Sequence, residues 1–202
     1  MYKIAAFINF NRTIEKIILS QKRKVKNYFG EQIYHDHPVH LTLFTIKIKK
    51  ISDLRKIYNE VKVNKKDINL KLQIDHTGIF PNDPLTKGHT LFYGLKNNIL
   101  LQKIQNKHLK FINKKIYFFK KDIKNIKNQI LKKNHKKYGF PFAGKIWIPH
   151  ITVASIRKVN QDHIFIKKFL KLKINLRSLI KNIEFYRVSN EKHYFLFKTN
   201  IN

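Results

Sequence analysis

The sequence predicts an α+β protein built from two pseudo-symmetric halves, each read as β-α-β-α-β, with largely antiparallel sheets facing a central groove and helices outside. Three observations carry this expectation. Short apolar runs with period-two alternation recur along the chain, as half-buried strands do. Amphipathic stretches of helical spacing stand between them. Two of the strand-like runs also share one pattern. Val39-His40-Leu41-Thr42-Leu43-Phe44 and Ile148-Pro149-His150-Ile151-Thr152-Val153-Ala154 both read apolar-His-apolar-Thr-apolar.

In chain order, Tyr2 to Phe10 reads as a first strand; it is short and lacks a basic leader or cleavage site. Asn11 or Thr13 can cap a helix carrying Ile14, Ile17, Ile18, Gln21, Val25 and Tyr28, closed by Gly30. The first motif strand runs on through Ile48. Ser52 caps a second helix with Leu54, Ile57, Tyr58 and Val61 on its face. A strand from Ile68 to Ile74 that runs on towards Gly78-Ile79-Phe80, a turn at Pro81-Asn82-Asp83-Pro84 and a strand from His89 to Leu95 complete the first half. The second half opens with a helix from about Asn98. A short strand at Lys115 to Lys120 and a helix on Ile123, Ile126, Ile130 and Leu131 follow. After the second motif strand, Asn160 caps a helix with Phe165, Phe169 and Leu172 inward. Strands at Ile183 to Val188 and Tyr194 to Thr199 close the chain through a tight turn. One domain over 1–202 is expected, with lobes of roughly 1–96 and 97–202, strand exchange between them allowed for, and a lysine-rich insertion at 103–137.

On a strand, residues two apart share a face. Each motif therefore presents an imidazole and a hydroxyl side by side, with its apolar residues turned to a core. Histidine titrates near pH 6.5, so one ring can accept a proton while another donates one. That pair suits attack on a phosphodiester, where a base activates the nucleophile and an acid protonates the leaving oxygen. Threonine hydroxyls can hold the non-bridging oxygens in line. The residues alone leave open which histidine is base and which acid.

At these positions the chain resembles the 2H phosphoesterase superfamily, which includes 2′-5′ RNA ligase-like proteins and cyclic nucleotide phosphodiesterases. Pro149-His150-Ile151-Thr152-Val153-Ala154 matches the second motif of that group and His40-Leu41-Thr42-Leu43 the first. Gly78-Ile79-Phe80, Phe92-Tyr93-Gly94 and the closing segment from Tyr186-Arg187 to Tyr194 resemble further family elements. The chain departs in a longer spacer, Lys103 to Lys137, and in Ser155, which stands where the family often has arginine. The resemblance implies a central groove lined by both motifs. It implies His40, Thr42, His150 and Thr152 as catalytic residues, with no metal and no cofactor. It also implies an RNA or nucleotide phosphodiester as substrate, opened at a 2′,3′-cyclic phosphate or at a 2′-5′ linkage, with ligation as the reverse. Two alternatives stand beside this. One is degradation of 2′-5′-linked or cyclic oligonucleotide signals, as in viral and phage members; the other is a non-catalytic RNA-binding protein on the same fold.

The net charge is +31, with only 12 acidic residues. Such a field attracts polyanions, nucleic acid first. Lys103 to Lys137 holds thirteen lysines against Asp122. Lysines without glutamate partners repel one another, so Lys120, Lys121, Lys124 and Lys127 are candidates for phosphate-backbone contacts. Phe80, Tyr93, Phe142 and Trp147 are candidates for stacking a nucleobase. His35, His37 and His40 have a spacing zinc can use, but only Asp36 accompanies them, and no metal is expected. There is no cysteine, which excludes disulfides and thiolate metal sites and fits a cytoplasmic location. No apolar run reaches transmembrane length, and a monomer acting on RNA or an oligonucleotide, away from membranes, is expected.

Overall fold

The alternating run His40–Ile48 forms a strand, and its neighbours define the architecture. The computed structural model describes residues 2–54, 71–83, 85–96, 99–113, 127–179, 182–190 and 192–200. In the first half these give β1 (Tyr2–Asn9), α1 (Arg12–Phe29), β2 (His40–Ile48), β3 (Lys71–Phe80), β4 (His89–Leu95) and α2 (Ile99–Asn113). Then come α3 (Gln129–Tyr138), β5 (His150–Ile156), α4 (Ile164–Leu170), β6 (Leu176–Leu179), β7 (Asn182–Ser189) and β8 (Lys192–Asn200). The described strands form one sheet in the order β6-β3-β4-β5-β2-β1-β7-β8. Every pairing in it is antiparallel.

The α+β class and the antiparallel strand pairing hold, and the described strands exchange between the sequence halves. Hydrogen bonding runs across all eight described strands. The halves interleave: β5 and β6 flank the β4-β3 pair, and β7 and β8 continue outward from β1. The sheet is thinnest at its middle, where β2 and β5 share the single register pair Leu41↔Ile151. The loop after α1 reinforces that opening. Ile33 bridges to Ser155, whose N–H donates to the Ile33 carbonyl at 2.8 Å.

Local chemistry explains most elements. Asn11 caps α1 by accepting from the Ile14 N–H at 3.0 Å, and Gly30 ends it at φ 71°. Ile14, Ile18 and Val25 pack into the core. The face runs through Lys22 rather than Gln21: Lys22 is buried, and its amine donates to the Tyr34 carbonyl at 2.6 Å. The cap of α4 is His163, whose Nδ1 accepts from the Phe165 N–H, not Asn160. Strand β6 adds to the expected set; it is short and borders β3. The helix expected from Ser52 is described only as far as Leu54. Ile57, Tyr58, Val61, the strand start at Ile68, the strand at Lys115 to Lys120, and Ile123 and Ile126 lie outside the described residues. α3 starts at Gln129, capped by the Asn128 side chain.

Both motif strands carry a bulge at the same place. Against β1, Ala6 pairs with Phe44 and Phe7 with Thr42, which leaves Leu43 over. Against β4, Leu91 pairs with Ala154 and Phe92 with Thr152, which leaves Val153 over. An extra residue re-phases the alternation. Leu43 and Phe44 therefore both face the core, as do Val153 and Ala154, and all four are fully buried. The Leu43 carbonyl accepts from the side-chain amide of Gln105, a fully buried residue of α2, at 2.9 Å. Gln105 also accepts from the Gly144 N–H at 3.2 Å, so one side chain ties the bulge to the loop before β5.

Candidate active site

The pair Leu41↔Ile151 sets the geometry of the motifs. In antiparallel register it places His40 opposite Thr152 and Thr42 opposite His150, about 5 Å apart across the strands. Leu41, Leu43, Ile151 and Val153 are fully buried on the other face. The two imidazoles and two hydroxyls thus occupy the corners of one small patch, with histidines on one diagonal and threonines on the other.

Each ring is held alike. His40 Nδ1 lies 2.7 Å from the Pro38 carbonyl, and His150 Nδ1 lies 2.7 Å from the Ile148 carbonyl. A carbonyl only accepts, so in both neutral rings the proton sits on Nδ1 and Nε2 keeps its lone pair. Two neutral bases with matching tautomers result.

Their surroundings differ. His40 stacks on Phe7 at 3.7 Å between centroids and meets the edge of His193 at 5.5 Å. His37 packs on His193 in turn, at 4.7 Å. His150 meets Phe80 at 5.0 Å and Phe92 at 5.3 Å, and those two phenylalanines stack at 4.4 Å. Burial holds His40 well below its usual pKa, and His193, Lys22 and His37 push the same way against the Pro38 hydrogen bond. Burial also lowers His150, but the Ile148 carbonyl and the Asp83 carboxylate oppose it. His193 is lowered by burial, then by His37 and Lys3, with Asp36 opposing.

The glycines of the patch have a steric cause. A Cβ on Gly78 would overlap the Phe92 ring, and a Cβ on Gly94 would overlap the His76 ring. Gly94 sits across from His150, so both glycines let a ring lie flat beside the second motif.

Of the other residues singled out from sequence, Phe80 stands at the site, beside His150. Tyr93 does not. It is fully buried on the opposite face, packed edge-on against Phe169 at 5.6 Å, because residues of β4 alternate and Phe92 takes the groove side. Trp147 is a core residue, 7% exposed. Phe142 is partly exposed and packs on Phe140, in a loop whose carbonyls Gln105 and Asn134 bind. Lys127 is exposed just before α3; Lys120, Lys121 and Lys124 lie outside the described residues. Ser155 is buried and bonds Thr86 Oγ1 at 2.6 Å, while Arg157 Nε donates to the Thr86 carbonyl at 2.9 Å. Both therefore brace the 83–88 turn. His35 Nδ1 is held by the Gln32 carbonyl at 2.6 Å, and His37 packs ring to ring. Among the described residues, no group of three or more His, Cys, Asp or Glu stands arranged for a metal.

Phe7, Phe92, Asp83, Tyr186 and His193 are site neighbours that sequence reasoning missed. Phe7 and Phe92 become legible as strand partners of the two threonines only once pairing is known. His193 reaches His40, and Tyr186 reaches Phe7, because β7 and β8 extend the sheet outward from β1. On α3, Lys132, Lys133, Lys136 and Lys137 line one open groove with Gln129, and the helix has no acid in its first turn. Among the described residues no helix is long and apolar enough to cross a membrane.

Comparison with solved structures places the fold. The chain is similar to TT0787 of Thermus thermophilus, with a TM-score of 0.65 at 12% identity, covering 98% of this chain and 97% of that one. It is similar to E. coli LigT complexed with 3′-AMP, with a TM-score of 0.55 at 11% identity over 98% and 97% of the two chains. A structure described as a phosphoesterase matches with a TM-score of 0.56 at 11% identity over 98% and 97%. No family model and no curated protein sequence matches the chain. The fold is thus the LigT-like one that the two His-x-Thr motifs implied.

Proposed function

We propose that the protein is a metal-independent phosphoesterase of the 2H type, acting on RNA or nucleotide phosphodiesters through His40 and His150. The observation that carries this reading is the patch itself: two His-Thr pairs on one face, each histidine anchored through Nδ1 with Nε2 left for chemistry. A phosphodiester seated between them takes hydrogen bonds from Thr42 and Thr152. His40, crowded by other basic groups, serves as base and removes a proton from the attacking water or 2′-hydroxyl. The Asp83 carboxylate favours the proton on His150, and His150 gives a proton to the leaving oxygen. The anionic substrate raises the proton affinity of both rings on arrival. LigT has been crystallised with phosphate and with 3′-AMP, and the shared fold supports a nucleotide for this chain. The charge of +31 favours RNA over a small signalling nucleotide.

The test is turnover of 2′,3′-cyclic mononucleotides, 2′-5′ oligoadenylate and cyclic dinucleotides by wild type, His40→Ala and His150→Ala, with and without EDTA. Either substitution is expected to lower turnover by about two to four orders of magnitude while the circular dichroism spectrum is kept. Wild-type turnover in both variants, or loss on chelation restored by zinc, rejects the reading.

A further inference from the structure

On the His150 side of the patch, β3 has a bulge of its own, and a carboxylate–imidazole pair sits on it. Ile74 pairs with Leu95 and His76 with Gly94, which leaves Asp75 over. Ile74 is fully buried, and Thr77 donates to the Phe169 carbonyl of α4 at 3.0 Å, so both turn to the core side. His76 stands between them on the face of His150. The extra residue frees Asp75 from strict alternation, and its Oδ1 lies 2.6 Å from His76 Nδ1. An ionised carboxylate only accepts, so the ring supplies that proton and Nε2 is the end left for exchange.

This ring reaches towards His150. His76, Gly94 and His150 form one row across β3, β4 and β5. The His76 ring fills the space where a Gly94 β-carbon would stand, and Nε2 is its nearest atom to that point. Facing β-carbons of an antiparallel pair lie about 5 Å apart, so Nε2 sits roughly one such spacing from the His150 β-carbon. One water spans a gap of that size. His150 needs what this pair can give. Its resting proton is on Nδ1, held by the Ile148 carbonyl, so Nε2 must gain a proton before passing one to the leaving oxygen. Phe80 and Phe92 wall its ring with carbon, and a seated phosphodiester covers it further. The His76 side chain is half-exposed, so it exchanges with solvent while the site is occupied. We infer that Asp75 and His76 form a dyad that supplies His150 with its proton. The His76 imidazolium passes its Nε2 proton to His150 Nε2, directly or through one water, and keeps the Nδ1 proton on Asp75. His150 gives the received proton to the leaving oxygen, and solvent restores His76. Asp75 fixes the orientation and tautomer of the ring. His76 is thus a positioning residue that acts through His150. This rests on the phosphoesterase reading and adds a third histidine to it.

The experiment is steady-state turnover by wild type, His76→Ala, Asp75→Asn and His150→Ala, with and without added imidazole. One substrate is adenosine 2′,3′-cyclic phosphate, whose leaving oxygen needs a proton. The other is adenosine 3′-(4-nitrophenyl phosphate), whose nitrophenoxide leaves without one. His76→Ala should lower kcat on the cyclic substrate by about tenfold with KM unchanged, and imidazole should restore most of it. Asp75→Asn should show a smaller loss in the same direction, and the nitrophenyl ester should be spared in both variants. Unchanged kcat in His76→Ala overturns the dyad, as does a loss that imidazole does not restore or that the nitrophenyl ester shares. Each of these leaves the phosphoesterase reading standing where His150→Ala has lost its turnover of the cyclic substrate. Wild type that turns over neither substrate overturns both.

Discussion

Among the described residues, the imidazole of His193 has no counterpart in ring contact at the other motif, where His150 meets Phe80 and Phe92. Its Nδ1 is buried without a hydrogen-bond partner among the described residues, and its ring edge lies on His40. The groups around this pair are His37, Asp36, Lys22, Lys3, Tyr186 and Glu184. Protonation of His193 beside His40 is opposed by burial and by the basic neighbours. Replacing His193 with Gln removes one group that keeps His40 unprotonated, so the acid limb of kcat/KM should move to higher pH. An unshifted limb with reduced kcat would make His193 a packing residue only. The sign for stability is also defined. His40, His150 and His193 all bind protons less readily folded than unfolded. Their contribution is therefore present above about pH 6.5 and is lost as pH falls from there towards the lowered folded values. Urea midpoints between pH 7.5 and 5 should fall, and fall less steeply in His193→Gln.

Elements place these residues through an irregularity. In each motif strand the bulge directly follows the threonine, so the ladder turns the His-Thr side outward before it resumes with its apolar side inward. Its trace in the sequence is a pair of adjacent apolar residues, Leu43-Phe44 and Val153-Ala154, that breaks strict alternation. Without the partner strands, such a pair is indistinguishable from simple continuation of a strand. Gln105 bonds the carbonyl that the first bulge exposes. Gln105→Leu should cost about 1–3 kcal/mol by leaving that carbonyl and the Gly144 N–H unpaired. Turnover should fall as well, because Thr42 adjoins the bulge. Equilibrium unfolding together with steady-state kinetics checks both; loss of stability with unchanged kcat would separate the bulge from the site.

For the whole molecule, the motifs, the α+β class, most strands and the first helix were legible because each is a local pattern: a period, a cap or a turn residue. Strand order was not. Whether β5 lies beside β4 or β6 depends on packing between distant segments, and so does the company His40 keeps. The same divide explains Tyr93 and Trp147, whose aromatic character was plain while their face was not. The open charge on α3 belongs to this scale too. Lys132, Lys133, Lys136 and Lys137 to Gln should lower the slope of log affinity against log salt for single-stranded RNA by up to about 3, at roughly 0.7 per phosphate contact. Turnover of a 2′,3′-cyclic mononucleotide should stay as it was; an unchanged slope would make that groove an ordinary solvated surface. Finally, the sheet joins β2 to β5 through the one pair Leu41↔Ile151, directly beneath the proposed site. A phosphate gripped from both strands would act as a cross-brace over the weakest line of the sheet. Any ligand that binds only the closed arrangement stabilises it by mass action, gaining about 2.7 kcal/mol at one hundred times its dissociation constant. Amide exchange at Leu41 and Ile151 should then slow with added 3′-AMP far more than exchange in the β3-β4 or β1-β7 ladders. Uniform slowing across all ladders would mean that the line does not open by itself. With selective slowing at that line, the molecule is firmest when occupied, and a phosphate bound at the proposed site is the missing rung of its sheet.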